Sequence, residues 1–400
     1  MFSTLTLYST LVPRKLTQLS NSFSFKIYTS TSEFPGNWNN FSANSIFFSK
    51  EYLQILEVSS PKNISSNFIG LFQNGKLVGV SLTQFNNLSL VNSYGVRDNC
   101  IKNKIRNIVF KNFSSNVLVV GNNTLTGQNT FCFSKEVPSK DLVSLLYKAV
   151  EELQRQIEKK GQKVHLVIYK DFPEIQIPLF ELPEFSSFYQ FTTQPNMLFS
   201  IKEHWHTFDD YVADLSKKYR DQFKRARKKS EGITKRKFSF EDIKNYNDRI
   251  LELYLNVAKK APFNTFFLNE DHFEIFKKNL NDQFIFYGYF KDDTLIGFNT
   301  LIKNGNDIDT YFLGYDEKCQ RERMLYLNML YDMIAYSINK GFKRIVFART
   351  ALEIKSSVGA NPEVLHGFMR HNNRFINLFI PKLFHFFEPK MEWKERNPFK

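Results

Sequence analysis

The hydrophobic and polar positions of this chain run through one order twice. Two strand-like runs at 67–73 and 76–84 flank Asn74-Gly75, a pair that tolerates positive φ and predicts a tight hairpin. Val91–Tyr94 and Val117–Val120 predict further strands. From Asp141 to Lys160 the period lengthens: Leu142, Leu145, Leu146, Ala149, Val150, Leu153 and Ile157 make one helical stripe. Gly161 ends that helix, and the apolar run Val164–Tyr169 predicts a buried strand. Later, strands at about 283–290, 294–302 and 307–314 precede a helix over Leu325–Asn339, with Tyr326, Leu327, Leu330, Ile334 and Ile338 on one side. Gly341 and the strand Arg344–Ala348 complete the second round.

The recurrence extends to individual residues. Gly70, Phe72, Leu77 and Gly79 fall without a gap on Gly288, Phe290, Leu295 and Gly297. Strands followed by helix, glycine and strand describe a layered α/β unit, and the repeat predicts two of them in tandem, at 40–195 and 196–390, as mixed sheets flanked by helices. A stretch containing Pro173, Pro178, Pro183 and Pro195 links the halves. Ser49 predicts the cap of a helix carrying Tyr52, Leu53, Leu56 and Glu57. The second half opens with a basic helix and then one from about Asp242 to Lys260.

Composition agrees with two folded domains: 400 residues are 42% hydrophobic and 24% charged, with 43 phenylalanines that reflect nucleotide bias. Cys100, Cys132 and Cys319 are far apart and odd in number, which excludes a disulfide framework or CxxC zinc site. No run reaches about 18 apolar residues, and the first 20 residues lack a basic leader. A cytoplasmic setting is expected.

Charge changes the picture. Of a net charge of +14, nine units sit in residues 217–237, where eleven Lys or Arg oppose two acids. Leu215, Tyr219, Phe223 and Ala226 recur at helical spacing through that segment, so the helix docks by one face and leaves Arg220, Lys224, Arg227 and Lys228 outward. Such a face suits phosphates of a nucleotide, a lipid diphosphate or tRNA, or an anionic membrane surface; the plain alternative is a solvated charged face. After the last predicted strand, Phe347–Glu363 is polar chain bearing Arg349, Glu353 and Lys355 at the strand end, where α/β sheets bind ligands. His204 and His206 have no metal-ligand partners at useful spacing, His366 and His371 do not align on a helix, and no metal site is expected. GxSxG, P-loop and GxGxxG patterns are absent.

The segment Lys217–Gly232 resembles the Tyr-Arg, basic-helix, Gly stretch that opens the second domain of Fem-type peptidyltransferases, tandem members of the GNAT superfamily. The stretch from Ile354-Lys355 to Gly359 and Pro362 is similar to the family's late Phe-Lys-x-x-Phe-Gly-x-x-Pro motif, with Val358 at an aromatic position. The resemblance implies two tandem GNAT-like domains that move an acyl or aminoacyl group to an amine without a covalent acyl-enzyme. Acyl-CoA or aminoacyl-tRNA would be the donor substrate, with no tightly bound cofactor, and a small-molecule or cell-wall-precursor amine the acceptor. Lys355 is then expected to stabilise charge and Glu353 to accept a proton, while Tyr219, Arg220, Lys224 and Arg349 hold phosphate. Two departures stand out: Gln320–Leu325 carries no glycine where GNAT enzymes grip pyrophosphate (Gly121–Gly127 of the first half is nearer), and the helical-hairpin arm used with tRNA has no counterpart. The alternative is a non-catalytic protein that binds nucleic acid or a nucleotide- or lipid-linked ligand through 217–237.

Overall fold

The computed structural model describes residues 17–18, 23–43, 45–90, 114–260, 264–387 and 393–400; the strand expected at 91–94, Cys100 and most of the first 20 residues lie outside these. Strands β1 (Thr17–Gln18) and β2 (Phe23–Tyr28) precede α1 (Lys50–Val58), which begins where Ser49 Oγ accepts the Tyr52 amide. The first hairpin, β3 (Ile64–Gln73) and β4 (Lys76–Asn87), turns at Asn74 and Gly75 with φ of 49° and 79°. Strands β5 (Asn116–Val120) and β6 (Phe131–Phe133) lead to α2 (Ser139–Lys159), which buries the expected Leu142–Ile157 stripe and returns the chain to β7 (Leu166–Pro173). Strands β8 (Tyr189–Thr192) and β9 (Asn196–Ser200) follow, then α3 (Phe208–Asp214), α4 (Lys217–Lys229) and β10 (Ile233–Lys237).

The single helix expected over 242–260 is two. A capping box between Ser239 and Asp242 starts α5 (Phe240–Asn245), Tyr246 leaves helical geometry at ψ 12°, and α6 (Asn247–Ala258) begins afresh. Asn245 and Asn247 are weak helix formers on either side of that break. Helix α7 (His272–Leu280) then precedes the second hairpin, β11 (Phe284–Lys291) and β12 (Thr294–Asn304), and strand β13 (Asp307–Tyr315). Helices α8 (Glu317–Arg323) and α9 (Leu325–Asn339) carry the chain to β14 (Arg344–Ala348). The polar segment beyond holds α10 (Leu352–Ser356), and β15 (Asn361–Glu363), β16 (Leu365–His371) and α11 (Arg374–Phe387) complete the described elements.

The duplication is real. In one sheet β3, β4 and β5 pair antiparallel in turn and β7 joins β5 in parallel after α2; in the other β11, β12, β13 and β14 repeat this with α9. The expected pair of mixed sheets flanked by helices is thus observed. What the repeat does not predict is how the sheets end. Strand β16, late in the chain, pairs with β7 and β8 of the first sheet, whereas β9 and β15 pair in the second beside β14. The chain therefore crosses between sheets at 193–195 and again at Val364.

The halves share a continuous core. Tyr28, Trp38, Tyr52, Leu53 and Phe68 lie in one buried cluster with Phe238, Phe273, Phe276 and Phe298, and the Tyr52 ring meets Phe276 edge-on at 6.1 Å. Polar bonds stitch its rim: Asn63 Nδ2 donates to Thr265 O (2.9 Å), Asn269 Nδ2 to Ser60 O (2.8 Å), and the Ile46 amide to Asn304 Oδ1 (3.0 Å).

Gly314 of β13 lets α6 approach the second sheet, because a Cβ there would lie 2.5 Å from the Leu253 carbonyl carbon and 2.6 Å from the Tyr254 amide nitrogen. Backbone atoms cannot rotate away. Gly314→Ala should therefore destabilise by about 3 kcal/mol, read as a lower urea midpoint, while Gly36→Ala, with no atom within 4 Å, should leave the midpoint unchanged. Equal midpoints for wild type and Gly314→Ala would contradict this packing.

Candidate active site

Strands β13 and β14 pair in parallel over three positions only, from Asp307 with Arg344 to Asp309 with Val346. Each then bulges against its other neighbour. Tyr311 and Phe312 sit opposite the single Thr300 of β12, and Phe347 is extra opposite Leu198–Met197 of β9. A bulge bends its strand, so the two strands splay and leave a wedge-shaped cavity of about 570 Å³ between them. Its walls are Asp309–Leu313 of β13, Tyr254 and Val257 of α6, Tyr326 and Leu330 of α9, Phe347–Ala351 and Lys355 from the end of β14 and α10, and Thr124–Thr126 from the first half.

In the first half the equivalent gap is filled. Strands β5 and β7 pair over four positions, Val117–Val120 with Leu166–Tyr169. Lys170 then lies across the opening: its Nζ donates to Asn122 O (2.8 Å) and Leu125 O (2.9 Å) and pairs with Asp171 Oδ2 (2.8 Å). The filled loop turns outward and becomes a wall of the other half's cavity.

Lys355 is buried at 4% exposure, and its Nζ donates to Ala348 O (3.2 Å) and Arg349 O (2.6 Å). Among the described residues no carboxylate pairs with it within 4 Å; burial alone pushes the amine down to about 7. It clamps an unusual turn. Ala348, Thr350 and Ala351 all have positive φ, at 59°, 67° and 47°, a region that costs an L-residue about 1–2 kcal/mol. Arg349 projects from the same turn, with Nε donating to Gln194 O (3.0 Å) and Nη2 ion-paired with the buried Asp171 of β7.

Sequence reading missed Asp309. Its carboxyl is 5% exposed, accepts from Asn304 Nδ2 at 3.1 Å and is pushed up to about 7, mainly by burial. An acid inside a strand, at a position that should be apolar, was the available signal. Tyr311 was missed too. Its hydroxyl lies 3.1 Å from Nε2 of His272, whose Nδ1 lies 3.1 Å from Ser59 Oγ. Burial pushes that imidazole down to about 3, so it is neutral, with one nitrogen donating and the other accepting.

The predicted residues divide between two places. Lys355 and Arg349 line the wedge; Tyr219 and Glu353 line a second cavity of about 430 Å³ with Lys218, Gln222, Ser357 and Arg396. Ile354 borders both. Glu353 is ion-paired with Arg396 and does not line the wedge beside Lys355. Arg220 lines neither cavity: its Nη1 donates to Leu215 O. Lys224 is exposed on α4. Arg227, expected outward, turns in to pair with Asp332 (2.9 Å) and Asn328 Oδ1 (3.2 Å) over the Phe223 ring. His204 pairs with Asp214 at 2.9 Å.

The start of α9, where GNAT enzymes bind a donor pyrophosphate, differs from a glycine-rich phosphate loop. Met324 precedes it in the left-handed region (φ 52°), α8 abuts it, and Gln320 Oε1 accepts the Tyr326 amide at 2.9 Å. One of the helix-start donors that would meet a CoA pyrophosphate is thus already occupied, and no glycine in Gln320–Leu325 lets the backbone approach it closely, so the residues do not fit a conventional CoA grip.

Because Lys355 titrates near 7 when folded and near 10.4 when unfolded, the unfolded chain holds the extra proton between those values and stability rises with pH through that window. Urea unfolding from about pH 7 to pH 9.5 should show wild type gaining on Lys355→Met by up to about 1.4 kcal/mol per pH unit. Asp309 has the opposite sign: its raised value stabilises below about 4 and is lost as pH rises through 7, a slope that Asp309→Asn should remove. Parallel pH profiles for wild type and variants would contradict both assignments.

A protein-family model described as FemAB-like, peptidoglycan biosynthesis/recognition, matches residues 32–351. No curated protein sequence matches the chain. Similar solved structures include FemX (11% identity, covering 85% of this chain and 93% of that one, TM-score 0.47) and a tandem GNAT protein from the clavulanic acid biosynthesis pathway (10%, 87% and 98%, 0.49). The structure of L-PGS from Bacillus licheniformis is also similar (12%, 85% and 97%, 0.45). With the family model spanning most of its length, the chain belongs to the FemAB-like family of peptidoglycan biosynthesis/recognition proteins.

Proposed function

We propose that this protein transfers an aminoacyl group from aminoacyl-tRNA to an amine of a cell-wall precursor, with the reaction centred in the wedge between β13 and β14. The supporting observation is the cavity itself, which places a buried amine and a buried carboxyl, each titrating near 7, in one apolar-walled space. An amine attacking an ester must shed a proton, and the carbonyl oxygen must carry negative charge as the tetrahedral intermediate forms. Asp309 in its ionised form accepts that proton. Lys355 in its ammonium form faces the oxyanion. The C–N bond forms, the C–O bond to the donor ribose breaks, and the leaving oxygen departs with a proton.

Two features favour an ester-linked donor over acyl-CoA. The glycine-free start of α9, with its Tyr326 amide already taken by Gln320, is a poor cradle for a pyrophosphate. On α4, Lys217, Lys218, Lys224, Arg225, Lys228 and Lys229 remain exposed, a cationic row that suits an RNA phosphate backbone. Lys218 and Tyr219 carry this row to the second cavity, where Arg396 and Gln222 suit a phosphate-bearing acceptor. A non-catalytic binder would use the same row and need neither Lys355 nor Asp309.

The test is mass spectrometry of candidate acceptors incubated with purified protein and either charged tRNA or acyl-CoAs. Transfer from charged tRNA is expected, reduced about 10²–10³-fold by Lys355→Met and at least about 10²-fold by Asp309→Asn, with kcat/KM peaking near pH 7, where both required forms coexist. Transfer undiminished in Lys355→Met would remove the wedge from the chemistry. If no donor loses its acyl group while tRNA still binds, the transferase reading fails and the binding reading stands.

A further inference from the structure

Helix α11 packs on the edge of the first sheet by one face and leaves the other bare. Asn373 Oδ1 caps its start by accepting the Phe375 and Ile376 amides (2.9 and 3.2 Å). Asn377 ties it down, with Nδ2 donating to Ser187 O (2.9 Å) and Oδ1 accepting the His371 amide (2.8 Å). Ile380 is buried, and the Phe384 ring meets Tyr189 and Phe191 of β8 at 5.9 and 5.1 Å. The helix is therefore held in place, not loosely attached.

Its outward row is apolar. Phe375 is 80% exposed, Leu378 75% and Phe379 55%, at positions i, i+3 and i+4 of one face. Large exposed apolar groups set side by side mark an interaction surface. Arg374 precedes the row and Lys382 ends it, both exposed, and residues 374–387 contain no Asp or Glu. The row from 375 to 382 spans about 10 Å along the axis, far short of a bilayer, so such a helix lies in the plane of an interface.

We propose that α11 is a membrane-surface anchor that lays Phe375, Leu378 and Phe379 into the headgroup boundary of an anionic bilayer, with Arg374 and Lys382 on lipid phosphates. Charge complementarity selects this occupant: the helix brackets its apolar row with cations alone, with no acid in residues 374–387. A Lys at the end of such a row keeps its ammonium at headgroup level while its stem lies along the apolar boundary. The inference stands on α11 alone and is independent of the transfer reaction.

Sedimentation of the full chain with phosphatidylcholine vesicles, with and without phosphatidylglycerol, tests it. The chain should partition onto vesicles containing phosphatidylglycerol and release in high salt. The triple variant Phe375→Ser, Leu378→Ser, Phe379→Ser should lose at least about tenfold in partitioning while keeping the wild-type circular dichroism and unfolding midpoint. Arg374→Glu with Lys382→Glu, which leaves the apolar row intact, should weaken binding to anionic vesicles alone. Any of three results overturns the proposal: no vesicle binding by wild type; equal binding by the triple variant, with loss instead in a Lys224→Glu, Lys228→Glu variant of α4; or a wild-type dimer that the triple variant dissolves, which would make the face a contact between copies.

Discussion

The short parallel pairing of β13 and β14 is the constraint from which the site follows. Three paired positions hold the strands together at one end, and bulges on both release them at the other. In the first half β5 and β7 gain a fourth pair, and Lys170 fills the opening beyond it. The chain spends its strain at this spot: three non-glycine residues with positive φ within four positions, stabilised by two hydrogen bonds from one buried amine. Lys355 is thus both a structural clamp and a titratable group on the cavity wall at the end of β14. Its turn is further pinned by Arg349 on Asp171, so the geometry of the second half's site depends on a carboxylate of the first.

The two halves have diverged in opposite directions from a shared plan. Lys170 occupies, in the first half, the opening that remains free in the second, and it bonds two carbonyls much as Lys355 does. The difference is the acid: Asp171 sits 2.8 Å from Lys170, whereas Lys355 has no such partner among the described residues. Burial lowers the proton affinity of both amines, but at Lys170 the Asp171 carboxylate opposes the shift, whereas Lys355 has no such counterweight and comes down to about 7, the range that proton chemistry near neutral pH uses.

Periodicity made the secondary structure legible. The stripe from Leu142 to Ile157, the Asn74-Gly75 turn and the repeat of hairpin, helix, glycine and strand are local patterns, and local patterns survive folding. Pairing between distant segments has no such signature. Nothing in Leu365–His371 says that it leaves the second half to pair with β7. Side-chain direction was equally hidden: Arg227 and Arg220 carry the composition of a phosphate-binding face, yet one turns onto Asp332 and the other onto Leu215 O. The strand-end argument singled out Arg349, Glu353 and Lys355 together, of which Arg349 and Lys355 line the wedge and Glu353 does not, whereas Asp309 was overlooked because one acid within a strand is common on a solvated edge. Only the burial of its neighbours sets it apart.

The first half is not a spent copy. Its α1 supplies Tyr52 to the common core, and Ser59, just past the end of α1, meets His272, which in turn meets the Tyr311 hydroxyl at the cavity wall. Asn122, in the loop that Lys170 holds down, donates to the Tyr52 hydroxyl at 2.8 Å. Removing this half would expose Phe273 and Phe276, leave Arg349 without Asp171 and take away the wall at Thr124–Thr126. The site is therefore composite: the second half provides the opening and the titratable groups, and the first provides the surface that makes the opening a cavity. That arrangement accounts for why both copies persist although only one is splayed.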